Sequence, residues 1–295
     1  MNRSIKEKRN KILLLSFGFL LALLTVLATP SNVTHGRNIR VNSVKSLNWA
    51  GYVVASNFSK PQQVVTMVNA SWIVQNVSCS KKGSTYSSQW VGIGGYFSND
   101  TSLIQTGTES DCINGKAKYG AWYELLPNAE TPIKNITVSA GDKILATIYL
   151  VPNTANEWNI TIKNENTGQF YTTIVTYNSS KLSGEWIEER PALCTSIVCR
   201  LTTLANFGTA YYGFEYTKIK QTEFATVDGT TAQIGALPYE NITMVSNSGS
   251  VLASPSALSS NGTSFFVTYG SGSTSTHQVG AKALGIETGV SGVVH

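Results

Sequence analysis

Short runs of β-branched and aromatic residues, cut at close intervals by turn-forming pairs, constrain this chain more than any other feature. Residues 64–68, 71–77, 144–151, 158–163, 170–177 and 265–269 have that composition. Several of them alternate apolar with polar, the period of a half-buried strand. Ala140-Gly141-Asp142, Asn166-Thr167-Gly168, Asp228-Gly229 and Asn261-Gly262 punctuate them, and these residue types tolerate the positive φ of tight turns. Beyond the first 28 residues no segment keeps an apolar 3.6-residue period for three turns. The expectation is an all-β fold, an antiparallel β-sandwich of two packed, many-stranded sheets with few helices.

The amino terminus is different. Arg3, Lys6, Lys8, Arg9 and Lys11 precede an apolar run from Ile12 to Ala28, with Pro30 just beyond. That order reads as a secretory signal peptide over residues 1–28, cleaved near Ala28; an uncleaved membrane anchor is the alternative. Without these residues the chain has 17 basic and 16 acidic side chains, so it offers no basic face to a nucleic acid. Residues 29–47 form a short N-terminal segment, a possible propeptide. Residues 48–269 form one domain without internal repeat or linker, and 270–295 a Gly/Ser-rich tail.

Two counts agree with export. Cys79, Cys112, Cys194 and Cys199 form an even set with three possible disulfide pairings, of which 194 with 199 and 79 with 112 is preferred on spacing. Ten Asn-x-Ser/Thr sites follow the leader, where chance gives roughly five, so a glycoprotein surface is one expectation and a Ser/Thr/Asn-rich surface without sugar the alternative.

The chemistry is narrowed by exclusion. His35, His277 and His295 all fall outside the expected core, so no imidazole is placed to serve a Ser or Cys nucleophile. No His-Glu-x-x-His helix, phosphate loop or Gly-x-Ser-x-Gly elbow is present. The paired Asp-Thr/Ser-Gly loops of pepsin-like enzymes are absent too. No metal or cofactor is called for, and a hydrolase would have to use carboxylates.

Four segments then stand out: Asn48-Trp49-Ala50-Gly51-Tyr52; Gln89-Trp90-Val91-Gly92-Ile93-Gly94-Gly95 with Leu103-Ile104-Gln105-Thr106-Gly107; Ala121-Trp122-Tyr123-Glu124-Leu125; and Gly184-Glu185-Trp186-Ile187-Glu188-Glu189-Arg190. In this order they resemble the glutamic peptidases of the G1 (eqolisin) family, secreted acid endopeptidases, over about residues 48–269. The resemblance implies a catalytic dyad of Gln105 and Glu185. A glutamate can serve as base and then acid, and a glutamine amide can hold an oxyanion.

The resemblance also implies a cleft lined by Trp49, Gly51, Trp90, Gly95, Trp122 and Glu124, taking extended peptides. It implies activity in acid, which calls for a Glu185 pKa low enough to leave carboxylate there. Gly94, Gly120 and Leu126 depart from the family pattern, where acidic residues and an aromatic one are usual. Glu188 and Glu189, next to Arg190, read as a solvated strand end. The function expected is that of a secreted, monomeric, metal-independent endopeptidase. A non-catalytic carbohydrate-binding or surface-adhesion β-sandwich is the alternative.

Overall fold

Alternation in the sequence becomes a meander in the computed structural model, which describes residues 32–38, 40–42, 44–81, 83–195 and 198–270. The expected leader and all of the expected tail except Gly270 lie outside the described residues. Lys143–Leu150, Glu157–Asn164 and Phe170–Thr176 pair antiparallel in that order. Along the middle strand Trp158, Ile160, Ile162 and Asn164 are buried, one residue in two. Val65–Ile73 extends the meander by pairing with Lys143–Leu150.

Two separate strands were expected there, over 64–68 and 71–77. One nine-residue strand forms instead, because the polar Asn69 in its middle is satisfied without breaking the ladder. Its Nδ2 donates to Gln221 O and its Oδ1 accepts from Phe224 N, at 2.9 Å each.

Seven strands form the facing half. Their order is Tyr239–Val245, Trp49–Val54, Gly184–Glu189, Ser88–Ile93, Ile104–Ile113, Lys116–Leu125 and Thr131–Ile133, each antiparallel to the next. Asn114 and Gly115 turn the long hairpin with φ of 52° and 76°, as a two-residue hairpin turn requires. Val68, Trp72, Ile144, Trp158 and Ile160 from one half meet Tyr52, Val91, Ile93, Ile104 and Trp186 from the other. The indole N–H groups reach across: Trp186 Nε1 donates to Asn69 O at 2.8 Å and Trp72 Nε1 to Thr108 Oγ1 at 2.9 Å. Truncating either tryptophan to alanine costs about 3–5 kcal/mol.

Tyr239–Val245 joins the two halves. Its first four residues pair with Trp49–Val54, and its last with Lys45–Ser46 and Val251–Pro255. A separate small sheet contains Asn32–Thr34, Ala192–Cys194 and Cys199–Leu201. Disulfides link Cys194 to Cys199 and Cys79 to Cys112. The described helical content is one turn, Phe214–Thr217, and a three-residue 3-10 segment, Ile234–Ala236.

Trp49–Val54, Ser88–Ile93 and Gly184–Glu189 are buried at every residue. The half-buried alternation is lost because their outer face is covered as well, by a second apolar cluster around Trp49, Trp90, Trp122 and Ile187. Glu188 and Glu189 are therefore not a solvated strand end. Their strand lies in the middle of its sheet, and both carboxylates have no exposed surface.

Candidate active site

Residues paired directly across an antiparallel ladder point their side chains to the same face. One such row, on the face away from the inter-sheet core, is Glu185, Gly92, Gln105 and Glu124. The next holds Ile187, Trp90, Gly107 and Trp122, and the one after it Glu189, Ser88 and Glu109. Gln105 and Glu185 are thus two strands apart, with backbones roughly 10 Å from one another. The residue between them is a glycine. A Cβ on Gly92 would lie 3.0 Å from Ile104 O and Trp90 Cζ3 and 3.1 Å from Gln105 Cβ, so the floor between amide and carboxyl is bare by necessity.

The face is not open. Residues 35–38 of the same chain lie on it. The Gln105 amide Nε2 donates to His35 O and to Glu124 Oε2, both at 2.8 Å, and His35 N–H donates to the same Glu124 oxygen at 3.1 Å. Gly36 N–H donates to Glu189 Oε1 at 3.0 Å, and Gly36 O accepts from Trp49 Nε1 at 2.9 Å and Asn48 Nδ2 at 3.2 Å. Asn38 N–H donates to Gly95 O at 3.1 Å. Gly95, at φ 84°, leaves room here: an added Cβ would be 3.2 Å from that of Arg37. Gly51 serves packing within the sheet, since a Cβ there would sit 2.1 Å from Trp186 O.

The His35 ring lies flat on Trp122, centroids 3.8 Å apart and planes 5° from parallel. Its Nε2 meets Glu130 Oε2 at 2.8 Å, and its Nδ1 faces Ser88 Oγ at 3.1 Å and Glu189 Oε2 at 3.4 Å. Trp90 Nε1 also donates to Glu189 Oε2, at 2.8 Å. Trp49, Trp90 and Trp122 are at most 1% exposed, and what covers Trp49 and Trp122 includes the chain's own residues 35 and 36.

A family model described as the Peptidase A4 family matches residues 47–275. The chain belongs to that family. Among curated proteins it is similar to aspergillopepsin-2 of Aspergillus niger, 28% identical over 197 residues that cover 59% of this chain and 65% of that protein. It therefore spans a little under two thirds of that relative. A solved structure of scytalido-glutamic peptidase with a transition state analog inhibitor shares the fold at TM-score 0.61, with 23% identity over 75% of this chain and 98% of that one. SCP-B, a member of the eqolisin family in a complex with the tripeptide Ala-Ile-His, does so at TM-score 0.57 and 22% identity, with the same coverage. Aspergilloglutamic peptidase from Aspergillus niger matches at TM-score 0.51 and 28% identity, over 63% of this chain and 99% of that one.

Electrostatics of this peptidase A4 member's site follow from burial. Burial pushes the Glu185 carboxyl well above its ordinary range, and the Asp100 charge adds to the rise. The low pKa expected from sequence is not found, because burial outweighs Ser183 and Gly94, which act to lower it. Glu124 is pushed up to about 8, chiefly by burial. Burial works against charge on His35, but hydrogen bonds and charge from Glu130 and Glu189 outweigh it and raise its pKa. Sequence reasoning put His35 outside the core, whereas it is fully buried in the site; it named Asn48 only as part of a motif and missed Glu130. Their one signal was position: His35 and Asn48 bracket the segment that precedes the first core strand.

Proposed function

We propose that this peptidase A4 family chain is an exported acid endopeptidase that hydrolyses bonds in extended peptides, with Gln105 and Glu185 as its dyad. The observation that carries this reading is the Gln105 amide, which already donates to a backbone carbonyl, His35 O, at 2.8 Å on the face that also bears Glu185. Glu124 accepts from the same Nε2 and so fixes which end of the amide points at the carbonyl.

As carboxylate, Glu185 takes a proton from water while the water oxygen adds to the carbonyl carbon. The negative charge moves to the carbonyl oxygen, where Gln105 N–H stabilises it. Glu185 then returns the proton to the departing nitrogen, and the carbon–nitrogen bond breaks. Trp49, Trp90 and Trp122 give apolar surface to the peptide, and Gly95 takes part in its backbone bonding. The two disulfides and the leader sequence support export.

The test is kcat/KM on one peptide at acid pH for the parent, Glu185→Gln, Gln105→Ala and the double variant, with circular dichroism for the fold. Each single change should lower turnover by at least ~10²-fold, the typical effect of losing an oxyanion donor. The double should be scarcely worse, because both groups serve one step. Near-normal turnover in Glu185→Gln would overturn the assignment. A parent that never cleaves, beside positive binding in a glycan screen, would point to a sugar-binding sandwich instead.

A further inference from the structure

Asn261-Gly262-Thr263 is one of the Asn-x-Ser/Thr sites of the sequence, and the fold holds it in a turn that leaves its amide nitrogen free. Asn261 Oδ1 accepts from Ser259 Oγ at 2.6 Å, from Thr263 Oγ1 at 2.9 Å and from Thr263 N–H at 3.2 Å. The carboxamide is planar, so fixing its oxygen in the turn sends Nδ2 the other way. Among the described residues Nδ2 donates to no group, and Asn261 is exposed. The turn is also held from below. Gly262 has φ 71°, and a Cβ on Gly235 would fall 2.7 Å from the Gly262 Cα. Two glycines thus bring backbone onto backbone, where Gly235 N–H donates to Gly262 O at 3.1 Å.

Beside the turn is a recess of about 320 Å³, lined by Asn261 together with Tyr239, Gln233, Leu258 and Ser260. Tyr239 is 44% exposed and begins the strand that joins the two halves of the fold. The side chains of Gln233 and Ser260 have no protein partner among the described residues. No charged side chain lines the recess, so nothing in it favours a phosphate or a carboxylate. A sugar ring, with C–H groups on one face and hydroxyls round its rim, matches an aromatic face edged by an amide and a hydroxyl. Asn69-Ala70-Ser71 is the opposite case. Asn69 Nδ2 is committed to Gln221 O and its Oδ1 to Phe224 N, while the buried Ser71 hydroxyl is bonded to Thr217 and Thr222. A sugar on that nitrogen would push residues 221–224 off the strand.

We propose that Asn261 is an N-glycosylation site, that the first sugar of its glycan is seated in this recess against Tyr239, and that Asn69 stays bare. In the transfer, Asn261 Nδ2 forms a bond to the anomeric carbon of a lipid-linked oligosaccharide. The lipid pyrophosphate leaves with the electron pair of the broken carbon–oxygen bond, and Nδ2 gives up one proton to a base of the transferase. The turn is available to that enzyme before or after folding, because its bonds close within residues 259–263. Folding then decides which sugars can be kept. Other exposed acceptors can carry a glycan as well; what sets Asn261 apart is the seat beside it. A sugar there covers an exposed tyrosine and a loop tip, the kind of place where chains are nicked. The proposal rests on the export reading and not on the dyad of Gln105 and Glu185.

The full chain is exported from a host that transfers lipid-linked oligosaccharides, and glycopeptide mass spectrometry reads the occupancy of each site. Asn261 should be occupied in most molecules and Asn69 in almost none. Export with Asn261 bare overturns the proposal and leaves the export reading standing, whereas a chain that never enters the secretory route removes both. Equal occupancy of Asn69 and Asn261 overturns the sorting by the fold. The seat is tested by thermal melts of the glycosylated chain in a double-mutant cycle. Tyr239→Ala should lower Tm by about 2–4 °C more where Asn261 is kept than in an Asn261→Gln background, since only the former has a sugar on the ring. An equal loss in both backgrounds overturns the seat. Should Tyr239→Ala fail to fold, Tyr239→Leu takes its place, because it keeps apolar bulk beside Tyr52 and removes the aromatic face.

Discussion

Glu188 and Glu189 are consecutive, both fully buried, and on opposite faces of one strand. Glu189 belongs to the cleft, where it accepts from Trp90 Nε1, Gly36 N–H and Asn48 Nδ2. Glu188 faces the inter-sheet core, where Gln75 Nε2 donates to it at 3.1 Å and burial raises its pKa. The two should therefore answer differently to one change. Glu188→Gln replaces a carboxyl already held neutral and should leave kcat/KM within about twofold. Glu189→Gln replaces an acceptor oxygen by an amide N–H among three donors, where a buried group left unsatisfied costs about 1–3 kcal/mol, and should raise KM by roughly 10- to 100-fold while changing kcat much less. Steady-state kinetics on a single peptide decides the matter, and equal effects of the two changes would contradict the face assignment.

Gly92 offers a steric test of the dyad. Gly92→Ala puts a methyl group about a contact distance from Gln105 Cβ and too near Ile104 O and Trp90. Small displacements of this kind cost about 10²-fold in rate. The expected result is a folded protein, by circular dichroism, whose kcat has dropped by that order. Unchanged kcat would mean that the floor between Glu185 and Gln105 is not where the chemistry occurs.

The buried carboxyls predict that the protein is most stable in acid. Burial, with Glu109 adding, pushes Asp111 up to about 8, and Glu124 reaches about 8 through burial. The unfolded values are about 3.9 and 4.3. A group whose folded pKa is raised binds its proton more tightly when folded, so its contribution is complete below about 4 and is lost as pH climbs toward 8. The raised His35 acts in the same sense, complete below about 6.5 and lost above. Thermal melts should give the highest Tm near pH 4 and a fall by pH 8, at roughly 2–4 °C per kcal/mol for a domain of this size. Asp111→Asn should flatten that fall. A Tm that rises toward pH 8 would refute the argument.

The disulfides differ in the loops they close. Cys79–Cys112 spans a sequence separation of 33 and Cys194–Cys199 one of 5. Loop-closure entropy assigns them about 4 and about 2 kcal/mol. Replacing both cysteines of the first pair by alanine should lower the denaturant midpoint more than the same change in the second.

Sequence made the meander legible because Glu157–Asn164 and its neighbours bury one face only, and period-2 alternation reports that situation. The central strands gave no such pattern: Trp49–Val54 and Gly184–Glu189 are covered on both sides, so Glu189 looked like surface. The pairing of Gln105 with Glu185 came from motif order and not from periodicity, since nothing local tells that residue 185 aligns with 92 and 105. His35 was misplaced for a physical reason. A side chain whose partners, Trp122, Glu130 and Glu189, are all distant in sequence leaves no trace in its own neighbourhood.

The Gly184–Glu189 strand is inserted between Trp49–Val54 and Ser88–Ile93, both synthesised long before it. No hairpin can deliver it. Its pairing closes very long loops, and contacts of that kind make folding slow. Until residue 189 has left the ribosome, Trp49 and Gln105 have no Glu185 between their strands, and the row that joins Glu185, Gly92, Gln105 and Glu124 is incomplete. Assembly order thus times the completion of this face of the sheet, delaying it until nearly two thirds of the polypeptide exists.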